Sequence, residues 1–237
     1  MNIFFKKEKK EKIIVLSLGG SLIAPKDGFD PNFLRGFKRM VLKLTENGFR
    51  FIIVCGGGQT ARNYQAVTKE IGELTNEDVD WIGIHATRLN AHLMRTIFRQ
   101  TANPVVVKNP TRKLKWTEKI LIGAGWKPGW STDYDAVKLA ELYGAKTVIN
   151  LSNIEFVYDK DPRQFPDARK IEKIAWRDFR KIVGDKWDPG SNVPFDPVAS
   201  REAEKLNLKV IITRGTDLDE AEKAIKGEQC KGTVIEG

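Results

Sequence analysis

Apolar positions along this chain follow two periods. Residues 13–18 and 51–55 are apolar at almost every position, with Ser17 the one polar residue in the first run, and the stretches 146–151 and 209–213 carry apolar centres at Val148, Ile149 and Leu151 and at Val210 to Ile212. Runs of that length, apolar on both sides, are the pattern of strands covered on both faces. Between them the apolar residues recur at helical spacing. Asp30-Pro31 supplies an N-cap and a first-turn proline for a helix ending at Gly48. A second helix follows Gly56, Gly57 and Gly58 and runs to about residue 71. A long amphipathic helix is expected over 78–98, with Ile82, Ala86, Leu89, Leu93 and Ile97 on its apolar face. Arg88, His92 and Arg95 then form a solvated stripe. Short strands are expected at 105–107 and 119–122, then a helix to about 142 and a less regular stretch to about 196. Asp196-Pro197 opens another helix. Thr216 is the expected cap of a last helix, with Asp219 at its third position and Gly227 ending it, before a strand over 232–236.

Strands alternating with helices predict an α/β protein with a parallel sheet layered between helices. Ligands of such sheets bind beyond the carboxyl ends of the strands. Glycines cluster at those ends, at 19–20, 56–58 and 123–129. Glycine lets the backbone approach a ligand closely, and helix N-termini offer free N–H groups to anions. The expectation is a cleft built to hold several phosphates. The P-loop pattern GxxxxGK[ST] is absent. Residues 56–61 fit the looser G-x-G-x-x-A pattern, but the acid that dinucleotide sites need about 20 residues on is missing.

Composition narrows the class. With 237 residues, 41% of them hydrophobic, the chain can bury a core without disulfide or metal staples. No apolar run reaches the ~18 residues of a membrane span. Cys55 and Cys230 form no CxxC pair and read as intracellular thiols. The lysines of the N-terminus follow its short apolar stretch, the reverse of a secretory signal. A cytoplasmic protein is expected. The net charge is +9, of which residues 1–12 carry +3 from five Lys and two Glu; that segment reads as a basic tail. The remainder suits either nucleic acid or phosphorylated ligands. No RRM, KH, helix-turn-helix or zinc-knuckle pattern supports nucleic acid, and neither a nucleic-acid nor a membrane partner is expected.

Five segments then occur in one order: L-S-L-G-G-S-L at 16–22, V-C-G-G-G-Q-T-A-R at 54–62, D-W-I-G-I-H-A-T-R-L-N-A at 80–91, G-W-K-P-G-W-S-T-D at 125–133 and V-Y-D-K-D-P-R at 157–163. Together they resemble the amino acid kinase superfamily, and within it the uridylate (UMP) kinases, the archaeal type most of all. The resemblance runs from about residue 13 to 237. The segments at 56–62 and 82–91 favour uridylate kinases over acetylglutamate, aspartate, glutamate or carbamate kinases. It implies a three-layer α/β/α sandwich with a mostly parallel central sheet. It also implies an acceptor-binding lobe over about 13–118, an ATP-binding lobe over about 119–237, transfer from MgATP to UMP, and a homohexamer built as a trimer of dimers.

The resemblance assigns roles residue by residue. Gly19, Gly20 and Ser21 match the loop that cradles the ATP phosphates; Tyr158, Asp161 and Pro162 match the segment bordering the adenine nucleotide. Gly56, Gly57, Gly58 and Arg62 match the acceptor-phosphate site. Asp80 matches an acid that contacts the nucleoside, with a helix N-cap or first-turn role as its rival. Gly125, Trp126, Ser131, Thr132 and Asp133 match the loop between the substrates. Asp133 is the candidate organiser of a cation. Asp135 is either a further acid near Mg²⁺ or the cap of its helix. Thr87 and Asn90 read as packing residues, and Trp130 as a cover for the loop.

Two positions depart from the family. Ser17 stands where most of the superfamily has the lysine that stabilises the transferring phosphoryl group, and Lys127 in the glycine loop is the candidate substitute. Glu155 and Phe156 replace the Asp and Gly usual before V-Y. Two alternatives follow: another small-substrate kinase of the superfamily, or a nucleotide-binding sensor without phosphoryl transfer. An isopentenyl phosphate kinase would need a histidine soon after the triple glycine, and the only histidines are His85 and His92.

Overall fold

The computed structural model describes residues 11–186 and 193–237; most of the expected basic tail lies outside them. Seven strands form one sheet: β1 (Lys12–Leu18), β2 (Phe49–Cys55), β3 (Ile120–Gly123), β4 (Thr147–Ser152), β7 (Lys173–Ile174), β8 (Lys209–Arg214) and β9 (Thr233–Ile235), in the order β3-β2-β1-β4-β8-β9-β7. The first five in that order run parallel, and β9 pairs antiparallel to β8. A separate two-stranded hairpin joins β5 (Val157–Tyr158) to β6 (Lys170–Ile171).

Alternate residues of each strand face opposite layers. Leu16, Leu18, Ile53 and Ile149 pack on one side, against α1 (Gly20–Ile23), α2 (Pro31–Glu46), α4 (Asn76–Ile97) and α8 (Leu218–Lys226). Val15, Ile52, Val54 and Val148 pack on the other, against α5 (Thr132–Tyr143), α6 (Trp176–Val183) and α7 (Pro197–Lys205). Both apolar layers are buried, which is why the central strands tolerate no polar alternation. The remaining helix, α3 (Gly58–Ile71), packs on α4.

The fold corrects several expectations. Residues 105–107 form no strand; two isolated parallel bridges, Ala102 to Ile120 and Val107 to Gly123, hold that edge. The long helix starts at Asn76, because Thr75 and Asp78 cap each other's backbone in a capping box. Its buried face is Ile84, Ala86, Thr87, Asn90, Ala91 and Met94, while Leu89 is 62% exposed. Two polar residues face inward, so hydropathy alone misplaces the stripe. The last helix is capped by Asp217 rather than Thr216, its side chain accepting from the Glu220 N–H. The stretch expected to be irregular carries the β5–β6 hairpin and α6.

Candidate active site

The first and second glycine clusters interlock. A Cβ on Gly20 would lie 2.0 Å from the Gly58 nitrogen, and one on Gly56 would lie 2.4 Å from the Gly20 nitrogen. Backbone packs directly on backbone here, so glycine is required before any ligand is considered. Gly58 adds a φ of +63°. The Gly56 N–H donates to Leu18 O and the Gln59 N–H to Ala24 O, tying the β1 loop to the start of α3. From α4, Asn90 donates its side-chain amide to Gly56 O and Gly57 O at 2.8 and 3.0 Å. On the same face the Thr87 hydroxyl accepts from the Gly125 N–H at 2.8 Å. The packing residues Thr87 and Asn90 are therefore braces for two glycine loops.

The chain turns from β1 outward to β2 and β3, then returns to β4 on the other side of β1. The crevice above β1 and β4 is thus the topological switch point. Asp133, in the first turn of α5, reaches into it. Its Oδ1 accepts from the Ser17 hydroxyl at 2.9 Å and from the Asn150 amide at 3.1 Å, and Ser17 and Asn150 are register partners on those two strands. Its Oδ2 accepts from the Asp196 N–H at 3.3 Å. The surrounding protein, with the Asp196 carboxylate adding repulsion, pushes the Asp133 pKa up to about 7 against the pull of the Ser17 hydrogen bond.

The neighbouring acids have other work. Asp135 is fully buried and accepts from the Trp126 N–H at 3.1 Å, and burial pushes its pKa well above the ordinary carboxylate range. It is not a helix cap; Ser131 caps α5 through the Tyr134 N–H. Asp196 caps α7 through the Ala199 N–H at 2.6 Å, and burial raises its pKa too. One oxygen each of Asp135 and Asp196 is buried without a hydrogen-bond partner. Among the described residues no group of three or more His, Cys, Asp or Glu side chains could hold a metal ion.

The loop between β3 and α5 is pinned at both ends. Asp80 accepts from the Gly129 N–H at 2.8 Å, so it is a loop anchor in the second turn of α4 and neither its cap nor a first-turn acid. Arg88, expected to be solvated, donates to Trp126 O at 3.0 Å. Trp130 stacks between Trp126 and Tyr134, at centroid distances of 6.1 and 4.1 Å. The exposed Lys127 holds its ammonium 4.3 Å from the Trp126 ring centre and 5.7 Å from that of Trp130. Thr132 opens α5 beside Ser131.

Arg62 is exposed one turn into α3, and its Nε donates to Gln59 Oε1 at 3.0 Å. Among the described residues no carboxylate pairs with it. Ser21 sits half-buried in α1. On the other side of the crevice, a cavity of about 700 Å³ is lined by Tyr158, Asp161 and Pro162 together with Asn153, Phe156 and Pro194. Asp161 is bound through both oxygens by Arg163, at 3.0 and 2.9 Å, which keeps its carboxyl below the usual range. It shapes the turn that borders the cavity.

Sequence reasoning missed Asn150 and Asp196 as partners of Asp133, and Asn90 and Arg88 as braces. The available signal was polar residues inside otherwise apolar elements: Asn150 within a buried strand, Asn90 on a buried helix face.

Similar proteins share this architecture. The model of the amino acid kinase family matches residues 12–214. A uridylate kinase of Methanococcus vannielii is 36% identical over 94% of this chain and 98% of its own length. One of Thermoplasma acidophilum is 34% identical over 94% of this chain and 96% of its own. The uridylate kinase structure from Archaeoglobus fulgidus superposes with a TM-score of 0.80 at 32% identity, covering 94% of this chain and 99% of that one. UMP kinase from Bacillus anthracis, 20% identical, shares the fold with a TM-score of 0.78 over 96% of this chain and 97% of its own. Sheet order, interlocked glycine loops and these likenesses lead to one assignment: the chain belongs to the amino acid kinase family, in the branch of the uridylate kinases.

Proposed function

We propose that this chain transfers the γ-phosphoryl group of ATP to UMP, giving ADP and UDP. The observation that carries the reading is the crevice above β1 and β4, with interlocked glycine loops on one side, a nucleotide-sized cavity on the other and Asp133 between them. Phosphoryl transfer asks the protein for alignment and charge neutralisation more than for covalent chemistry.

In this reading residues 13–118 hold the acceptor and 119–237 hold ATP. Gly56, Gly57, Gly58 and the guanidinium of Arg62, which no carboxylate pairs among the described residues, receive the UMP phosphate; Asp80, Gly125 and Trp126 border its nucleoside. Gly19, Gly20 and Ser21 lie under the ATP phosphates, and Tyr158, Asp161 and Pro162 flank the adenine. Thr132 and the free N–H groups opening α5 face the transferring oxygens. Lys127 supplies positive charge after leaving its tryptophan platform. The donor set fits Mg²⁺ arriving on nucleotide phosphates rather than in a protein cage, and Asp133 would be the carboxylate that helps to hold it. When bound, the ion neutralises charge on those phosphates.

Subunit contacts belong to the same reading. Trp81 and Leu89 on α4, with Tyr64, Val67 and Ile71 on α3, are exposed apolar side chains that support assembly, up to the expected hexamer. The cytoplasmic setting also remains part of it; no described helix is long and apolar enough to cross a membrane.

The second reading, a sensor that binds nucleotide without turnover, is favoured by Ser17 alone. Mixing the protein with MgATP and a panel of nucleoside monophosphates, and following ADP, separates the two. Turnover confined to UMP supports the kinase. Tight ATP binding with no turnover on any acceptor supports the sensor.

A further inference from the structure

Arg88 and Asp135 reach the same residue from two helices. Arg88, on α4, donates to Trp126 O at 3.0 Å, and Asp135, in the first turn of α5, accepts from the Trp126 N–H at 3.1 Å. Among the described residues each side chain makes that one hydrogen bond, and Arg88 adds a 5.8 Å approach to the Trp81 ring centre. The Arg88 Nε and the second Asp135 oxygen are buried without a partner. Asp135 is 0% exposed, on a helix whose Ala136, Val137 and Leu139 belong to the apolar layer.

Burying polar groups with unused hydrogen-bonding atoms costs stability, and apolar side chains of similar size fill such positions without that cost. The pair therefore does not serve the core. What both residues fix is the Trp126 backbone, on either side of its Cα. The neighbouring loop residues are fastened too: the Gly125 N–H donates to the Thr87 hydroxyl and the Gly129 N–H to Asp80. A Cβ on Gly125 would lie 2.9 Å from Thr87 Oγ1, so the loop rests directly on α4. Trp126 is tied to α4 and α5 at once, and the loop runs on into Ser131, Thr132 and Asp133 at the start of α5.

We propose, on the reading that Gly125 and Trp126 border the acceptor nucleoside, that Arg88 and Asp135 are positioning residues for the acceptor. They form a clamp that holds the 125–130 loop in the place where it meets UMP. Both act through the Trp126 backbone and not on the nucleotide. With the clamp open, the loop spends less of its time in the competent position, and acceptor affinity falls by that fraction. The donor side keeps its shape, because Tyr158, Asp161 and Pro162 line a cavity built from other elements.

Asp135→Leu replaces the acid by an apolar side chain, while Asp135→Asn keeps an acceptor for the Trp126 N–H. In Asp135→Leu the KM for UMP should rise by about tenfold and that for ATP should hold. Its melting temperature should stay level or rise, since a buried acid has gone. Asp135→Asn should stay within about threefold of wild type. Arg88→Met should raise the KM for UMP as well, and the double variant should exceed the stronger single by no more than about twofold, because both act on one loop. A residue serving the fold alone would do the reverse, lowering the melting temperature and leaving the KM. Hydrogen exchange in the ligand-free chain reads the clamp without turnover: in Asp135→Leu the amides of 125–130 should exchange about tenfold faster while those of β1 and β2 hold. An unchanged KM for UMP in both Asp135→Leu and Arg88→Met overturns the proposal, and so does loop exchange at the wild-type rate. A wild-type chain that does not turn over UMP overturns the proposed function instead, and the exchange measurement then decides the clamp alone.

Discussion

Ser17 donates its hydroxyl to Asp133 at 2.9 Å, joining the centre of the sheet to the first turn of α5. The position expected to carry a lysine thus carries a neutral donor, which serves the acid instead of a phosphate. The charge of Asp133 is left to its surroundings, and they set its pKa near 7.

Ser17→Ala removes a contact that lowers that pKa, so the Asp133 pKa moves up. If the ionised carboxylate is the working form, activity rises with pH through about 7 in the wild type. The acid limb of the kcat/KM profile then shifts upward by about one pH unit in Ser17→Ala. A profile that does not move separates the Ser17 hydroxyl from catalysis.

Asp133→Asn tests the same group through stability. The unfolded carboxyl ionises near 3.8 and the folded one near 7. Below the lower value both states are protonated, and the full native contribution is present. As pH rises toward 7, ionisation favours the unfolded chain and the wild type loses stability. Asparagine cannot ionise, so the stability of Asp133→Asn relative to wild type grows from pH 5 to 8, by no more than about 4 kcal/mol. Urea melts across that range read the slope, which any fixed offset from the new amide leaves intact.

Gly20→Ala places a methyl group 2.0 Å from the Gly58 nitrogen and 2.7 Å from the Gly56 and Gly57 carbonyl carbons. Backbone cannot yield as a side chain can, so we expect a loss of about 3 kcal/mol or more. Gly72→Ala meets nothing within 4 Å and should change stability by less than about 0.5 kcal/mol. Thermal melts of the pair check both.

Arg62→Ala leaves the fold untouched, because the side chain is exposed and bonded only to Gln59. The KM for UMP should rise by about 10- to 100-fold while that for ATP holds, the cost of one charge-assisted phosphate contact. An unchanged KM for UMP would remove Arg62 from the acceptor site.

Lys127→Ala should lower kcat by about 100-fold if this ammonium neutralises the transferring group. Its partners in the ligand-free chain are the Trp126 and Trp130 rings, so stability should shift by only about 0.5 kcal/mol. Unchanged turnover would leave the N–H groups opening α5 and the nucleotide-borne cation as the remaining stabilisers.

The sequence alone determined the layered α/β architecture, since apolar runs at two periods admit few other arrangements. It also placed the three glycine clusters at strand ends, and it marked Asp133, Arg62 and Lys127. Tertiary structure decided what those residues touch. Leu89 resembles a core residue and faces outward, while Asn90 beside it, read only as a packing residue, holds two glycine carbonyls. Hydropathy ranks side chains one at a time, whereas a buried amide is stable only where acceptors from a distant loop meet it. Ser17, Asn150 and Asp196 lie far apart along the chain and converge on one carboxylate. The order of the strands, and not any local pattern, brings the Ser17 and Asn150 donors to one oxygen of that carboxylate, and the start of α7 brings Asp196 to the other.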